Sequence, residues 1–279
     1  MKLLKPLALA LALTAATSAA QAANVLVVLS DADHLELRGG QAYATGFYLN
    51  ELMQPVRQLM QAGHQITFAT PTGRAPTLDR SSIDAQYFDG DAKALAEHQA
   101  LLDELALTDP ARSPVVSLSR VRQQGYARYD AVYIPGGHAP MQDLLKDRAL
   151  GELLRDFHAH DKTTALVCHG PIALLSALPD AAGFVAQLEA GKPATAPGWI
   201  YAGYRMTVIS NQEEEQAKGQ LGGGRMKFYP QTALQQAGGR YESNRQPWAA
   251  NVVVDRELVT GQNPASANAV AAELLRRLK

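Results

Sequence analysis

The chain has 279 residues, 47% of them hydrophobic, 6% aromatic and 19% charged, enough apolar material for a full core and incompatible with a disordered or fibrous protein. Its 26 basic and 27 acidic residues nearly cancel, so no charge field draws it to nucleic acid or to an anionic membrane surface. The lone cysteine, Cys168, excludes an internal disulfide framework and a cysteine-built zinc site.

Met1 to Ala22 reads as a secretory signal: Lys2 and Lys5, an apolar stretch from Leu7 to Ala16, then Ala20-Gln21-Ala22. A membrane anchor is the other reading, but a span needs roughly 20 apolar residues, and Thr14, Thr17, Ser18 and Gln21 interrupt this one. Cleavage after Ala22 is expected, giving a periplasmic or secreted protein with no membrane attachment. Losing two lysines leaves 24 basic against 27 acidic residues, a net charge of −3.

Residues 23–279 are expected to form one α/β domain with a mainly parallel sheet, because strand and helix patterns alternate without repeats or long linkers. Val25 to Leu29 is a short β-branched run of the kind buried on both faces of a sheet. An amphipathic helix is expected from about Ala42 to Ala62, closed by Gly63, followed by a strand from Gln65 to Ala69. Asp79 to Ser119 reads as a mostly helical surface insertion. Asp130 to Ile134 is a strand ending in Pro-Gly-Gly, Gln142 to His160 a helix, and Thr163 to Val167 the next strand. A helix from Pro171 to Leu178 follows, with proline suitably placed in the first turn. Strands at Met206 to Ile209 and Val252 to Val254 and a helix from Ser266 to Leu278 complete the pattern. The Gly-rich Gly219 to Gly224 lacks the Lys-Ser/Thr ending of a phosphate-binding loop and reads as a flexible connection.

Strand, Val167-Cys168-His169-Gly170-Pro171, helix: this order puts the cysteine in a sharp strand-to-helix turn at the carboxyl end of the sheet, where open α/β folds bind ligands. The positive end of the following helix is expected to favour the thiolate and lower the cysteine pKa. The N–H of His169 is a candidate oxyanion donor. The bland alternative is a small buried hydrophobe. The seven histidines stand at 34, 64, 98, 138, 158, 160 and 169, so triads that need a histidine well downstream of the nucleophile cannot be built. His169 remains, and it needs a carboxylate to orient it. Glu213-Glu214-Glu215 can supply one, although an acidic triplet is usually a solvated helix start. Glu51 falls on the apolar side of its predicted helix, where a charge is costly unless protonated or paired. Pro55, four residues on, cannot bond the Glu51 carbonyl, so irregular backbone is expected there. His158 and His160 lie on opposite sides of one helix and are expected to be solvated.

With Pro135-Gly136-Gly137-His138, the Cys168-His169-Gly170-Pro171 turn resembles the ThiJ/PfpI superfamily, and within it the glyoxalase III and heat-shock chaperone branch. Thr45-Gly46-Phe47 leading to Glu51 and Pro55, Ala69-Thr70-Pro71, Met141 to Leu144, and Thr260-Gly261-Gln262-Asn263-Pro264-Ala265-Ser266 agree in order. The resemblance spans Asn24 to Lys279 and implies a flavodoxin-like three-layer sandwich, usually a homodimer. It implies Cys168 as nucleophile, His169 as its partner, Glu51 as a protonated acid beside the thiolate, and Gly137 with His169 as oxyanion donors. The third triad member falls on Glu214, with Glu213 as runner-up. No metal and no organic cofactor is expected. The family's Gly-Gly-His-Gly reads Gly-Gly-His-Ala here, which would strain Ala139 if that position needs positive φ. The implied activity is glutathione-independent conversion of methylglyoxal or a related small 2-oxoaldehyde to a 2-hydroxy acid, or deglycation of early adducts by the same chemistry. The alternative from another class is a stress-protective holdase chaperone or oxidation-sensing thiol protein.

Overall fold

A computed structural model describes residues 22–279; the predicted signal, apart from Ala22, lies outside them. Seven strands form the main sheet in the order β10-β11-β7-β6-β1-β4-β5. They are β1 (Asn24–Val28), β4 (Gln65–Thr70), β5 (Val116–Ser117), β6 (Ala131–Ile134), β7 (Thr163–Val167), β10 (Val252–Asp255) and β11 (Leu258–Gly261). All pairings are parallel except β10 with β11. β6, β7 and β11 are buried along their whole length, which matches their unbroken runs of apolar residues and threonine.

Helices cover both faces. α1 (Leu49–Gln61) follows β1 and leads to β4 on one side, whereas α4 (Arg148–Ala159) joins β6 to β7 on the other. Right-handed crossovers in opposite directions place these helices on opposite faces. α1 packs against α8 (Ala267–Arg277) and against α2 (Ala92–Glu104), and α4 packs against a 3-10 helix, Gly170–Ala177. The result is the expected flavodoxin-like three-layer sandwich, with the core between sheet and helices.

Several expected elements differ. Ala42 to Ala62 is not one helix: β3 (Ala42–Ala44) pairs antiparallel with β2 (His34–Glu36), and the helix starts only at Leu49. The alanines there are helix formers, but cross-strand pairing outweighs propensity. Gln142 to His160 contains a 3-10 turn, Leu144–Lys146, before α4, whose start is set by Asp147 accepting from the Leu150 N–H at 2.7 Å. Of Met206 to Ile209 only Met206 is strand, in β8 (Arg205–Met206), which pairs with β9 (Arg240–Tyr241). Beyond it, Thr207 N–H donates to the Thr260 hydroxyl and Ile209 N–H to the Cys168 carbonyl, so the chain is taken over by the ends of β11 and β7.

β11 is the longest of the strands the sequence reading lacks. It lies between β7 and β10 and follows a two-residue turn, Arg256-Glu257, with Arg256 at φ +55°. A tight hairpin turn usually announces itself with Asn or Gly, and this one does not. The segment Asp79 to Ser119 is helical in parts, yet it also buries His98 and Leu102 and supplies the edge strand β5.

Candidate active site

Cys168 follows β7 directly and takes φ +60°, a left-handed conformation uncommon for a residue with a Cβ and concentrated at functional sites. Hydrogen bonds fix it on both sides: its N–H donates to the Gly261 carbonyl at 3.0 Å and its carbonyl accepts from Ile209 at 3.1 Å. The strained elbow is therefore held by β11 and by the segment leading to α6 (Asn211–Ala217).

Sγ of Cys168 lies 3.3 Å from His169 Nδ1, and His169 Nε2 lies 2.9 Å from Glu214 Oε1. A carboxylate accepting from Nε2–H leaves Nδ1 free to accept the thiol proton. Glu214 is thus the carboxylate that reaches the dyad. Glu213 turns the other way and acts as a structural hub. It closes a capping box with Ser210 and accepts from Gln262 at 2.9 Å, from Asn263 at 2.8 Å and from the Trp248 backbone at 2.8 Å. Burial raises its pKa, but these donors outweigh that and leave it below the usual carboxylate range. The acidic run is a helix start, as its composition implies, but Glu213 and Glu214 are buried rather than solvated. The sequence reading gives Gln262 and Asn263 no role, although both stand in the Thr260 to Ser266 segment on which the resemblance rests.

Glu51 is fully buried on α1. Its Oε2 accepts from Gly136 N–H at 2.8 Å, while Oε1 has no hydrogen-bond partner. Burial pushes its pKa up to about 8, only partly offset by the neighbouring thiol and the backbone of Gly136, so the carboxyl is mostly protonated at neutral pH. The irregularity expected at Pro55 takes a specific form: α1 continues through the proline, and the Glu51 carbonyl accepts a hydrogen bond from the fully buried Tyr133 hydroxyl. Tyr133 stands on β6, so the freed carbonyl anchors Glu51 to the sheet.

The loop after β6 closes the site. A Cβ on Gly136 would lie 2.7 Å from Glu51 Oε2, 2.7 Å from the His169 nitrogen and 2.8 Å from the Cys168 Cβ. Gly137 has φ +79°, and a Cβ there would meet the Gly46 carbonyl at 2.0 Å. Positive φ is thus needed at Gly137. Ala139 is not among the left-handed residues and begins a short 3-10 turn, so the departure from the family's glycine costs no strain.

The expected lowering of the Cys168 pKa is overturned. The thiol is 2% exposed, and burial pushes its pKa well up, with the charge of Glu51 adding to the rise. The following helix is 3-10 rather than α, so it gives less of the aligned dipole on which the expectation rested. A protonated Glu51 removes its own share of that rise and becomes a donor toward sulfur. Both groups are thus held toward their protonated forms, and the base within reach of the thiol proton is His169 Nδ1.

His138, His169 and Glu214 bring ligand-type atoms within 4.8 Å of one another and form the cluster with metal-binding character among the described residues. His169 and Glu214 are already hydrogen-bonded to each other. A cavity of about 730 Å³ reaches the acid end of the dyad, lined by Glu214 with Arg38, Lys218, Arg225, Phe228 and Tyr229 among others. His158 departs from its expected solvated state: it bonds Glu257, which is buried, at 2.8 Å. His160 is exposed as expected.

A family model described as ThiJ/PfpI family-like matches residues 43–220. Over 247 residues the chain is 24% identical to the protein/nucleic acid deglycase HchA of Staphylococcus aureus strain MSSA476, covering 88% of this chain and 76% of the relative. The Rapid Encystment Protein 24 kDa of Francisella tularensis superposes with a TM-score of 0.70 at 22% identity, over 92% of this chain and 99% of that one. Glyoxalase III from Candida albicans superposes with a TM-score of 0.66 at 19% identity, over 92% and 98%. These two likenesses are of fold.

Proposed function

Since the chain belongs to the ThiJ/PfpI-like family, we propose that it converts methylglyoxal or a related 2-oxoaldehyde to the 2-hydroxy acid without glutathione. The observation that carries this reading is the fully buried Glu51 carboxyl, raised to about 8 beside the Cys168 thiol. A proton carrier poised near neutrality against a nucleophile suits a reaction that adds a thiol to a carbonyl and then moves a proton between carbons. Relatives named deglycase and a fold neighbour named glyoxalase III support it.

Sulfur gives up its proton to His169 Nδ1 and attacks the aldehyde carbon, forming a C–S bond. The carbonyl electrons pass to oxygen, which is held by the N–H groups of Gly137 and His169 and protonated to the hemithioacetal. The oxygen on C1 takes its proton from Glu51 or His169. The group left deprotonated accepts the C1 proton while the pair returns a proton to the oxygen on C2, giving an enediol. A proton delivered to C2, with loss of the C1 hydroxyl proton to the same pair, gives a thioester of the 2-hydroxy acid. The oxidation of C1 is balanced by reduction of C2, so no external redox partner enters. Water then cleaves the C–S bond, releasing the acid and the thiol.

Early adducts of the same aldehydes on amines or thiols enter through the same carbon, so deglycation is the natural companion activity. The oxidation-sensor alternative has less support, because a buried, protonated thiol reacts slowly with oxidants. Purified protein lacking residues 1–22 is expected to form lactate from methylglyoxal without glutathione. Cys168→Ala should lose at least about 10³-fold in rate; equal rates in the two proteins would remove the proposal.

A further inference from the structure

We infer that His138 is a further catalytic residue, a neutral hydrogen-bond donor to the second oxygen of the substrate, so that the site favours compounds with oxygens on adjacent carbons. This rests on the 2-oxoaldehyde reading and assigns a group that reading leaves idle.

His138 follows Gly137 on the loop after β6 and is 4% exposed. Its ring lies against that of His169, centroids 4.3 Å apart at 42°, and the Tyr43 ring meets it edge-on at 5.4 Å. Its Nδ1 is buried without a hydrogen-bond partner. Buried nitrogens are nearly always paired, and an exception at the edge of a reactive centre points to a partner that arrives with the ligand. One ring nitrogen of His138 lies within 4.8 Å of functional atoms of both His169 and Glu214. An oxygen about 2.8 Å from each of two such atoms can bridge that gap.

The chemistry has a matching need. When the C1 proton leaves the hemithioacetal, its electron pair forms the C1–C2 double bond and the C2 carbonyl electrons move onto oxygen. The backbone donors of Gly137 and His169 serve the oxygen on C1, which leaves the oxygen on C2 without one. A His138 N–H supplies it without transferring its proton. The ring stays uncharged: burial first, and then the neighbouring His169, hold its pKa down to about 4, against the opposing pull of Glu214 and Asp79. A neutral imidazole is an effective polarising donor for an enediol-forming carbonyl. A cation bound by the same three residues would have to displace the 2.9 Å bond between His169 and Glu214; the donor role leaves it in place.

The test compares wild type, His138→Phe and His138→Gln by two readouts. One is kcat for methylglyoxal. The other is protection of Cys168 against alkylation by methylglyoxal and by propanal, which lacks the second oxygen. His138→Phe should lose roughly 10²-fold in kcat and most of the wild-type advantage of methylglyoxal over propanal in protection, with protection by propanal unchanged. His138→Gln, which keeps an N–H donor, should recover much of both and decides the matter if the Phe variant folds poorly. Equal kcat and equal preference in all three proteins would overturn the role of His138 while leaving the activity standing. A parallel loss of protection by propanal would mark a structural role and also overturn it. If wild type makes no 2-hydroxy acid, yet its preference for methylglyoxal disappears in His138→Phe, the activity falls and the contact stands.

Discussion

Two His–Glu pairs stand at opposite ends of the strands β7 and β11, with nearly equal N···O distances but through different ring nitrogens, Nε2 of His169 and Nδ1 of His158. His169 and Glu214 meet at 2.9 Å beside Cys168, where β7 ends. His158 and Glu257 meet at 2.8 Å where β11 begins, between the last turn of α4 and the β10–β11 turn. In both, a buried carboxylate orients an imidazole. At the second site Tyr204 donates to both oxygens of Glu257, at 3.2 and 3.3 Å, and the Arg256 guanidinium lies 3.3 Å over the Tyr204 ring. That is a satisfied network with no nucleophile, since Cys168 is the only cysteine. The first site differs in three ways: a left-handed residue at the strand end, a protonated carboxyl on a different helix, and a glycine loop packed against both. A paired histidine orients; it is the strand-end elbow and the second acid that make chemistry possible.

Substitution of the two glutamates tests that contrast most strongly. Glu214→Gln should lower kcat by about 10- to 100-fold with little change in KM, because it weakens the orientation of His169 during proton transfer. Glu257→Gln should leave kcat per folded molecule unchanged and cost about 1–3 kcal/mol of stability by weakening the network around His158 and Tyr204. Equal losses of kcat in steady-state assays would break the distinction between the two pairs.

A smaller effect sharpens it through pH. Glu51 is raised to about 8 in the folded chain from an ordinary value of 4.5, so the folded state holds more protons between those values and stability falls as pH rises through that window. His138 is lowered to about 4 from an ordinary 6.5; there the unfolded chain holds more protons, and stability rises with pH between 4 and 6.5. From pH 6.5 to 8 only the Glu51 effect remains of these two. Glu51→Gln should therefore flatten the decline in denaturant-measured stability over that range, by an amount on the order of 1–2 kcal/mol. An unchanged slope would contradict a raised Glu51. The same variant should lose about 10²-fold or more in kcat.

Much of this was legible in the chain. The run Thr163 to Val167 followed by Cys168 and Pro171 marked the elbow, and Pro55 pointed to Glu51 because a proline past the first turn of a helix frees the carbonyl four residues before it. The residues alone did not choose between Glu213 and Glu214, since neighbours on a helix start point in different directions; the resemblance put the role on Glu214, with Glu213 as runner-up, and Glu214 is the one that reaches His169. β11 was missed because its turn uses Arg and Glu, and β3 because alanines favour helix until a partner strand arrives. The direction of the Cys168 pKa was misjudged for a related reason: a local helix end can be read from sequence, while burial under loops from Gly136 and α1 depends on contacts distant along the chain.

The central claim is that Glu51 is a neutral acid beside the nucleophile, and infrared difference spectroscopy of wild type against Glu51→Gln at pH 7 tests it most directly. The account predicts a protonated carboxylic acid band in wild type that is missing in the variant and disappears as pH is raised through about 8. An ionised carboxylate band at pH 7 in its place would contradict it.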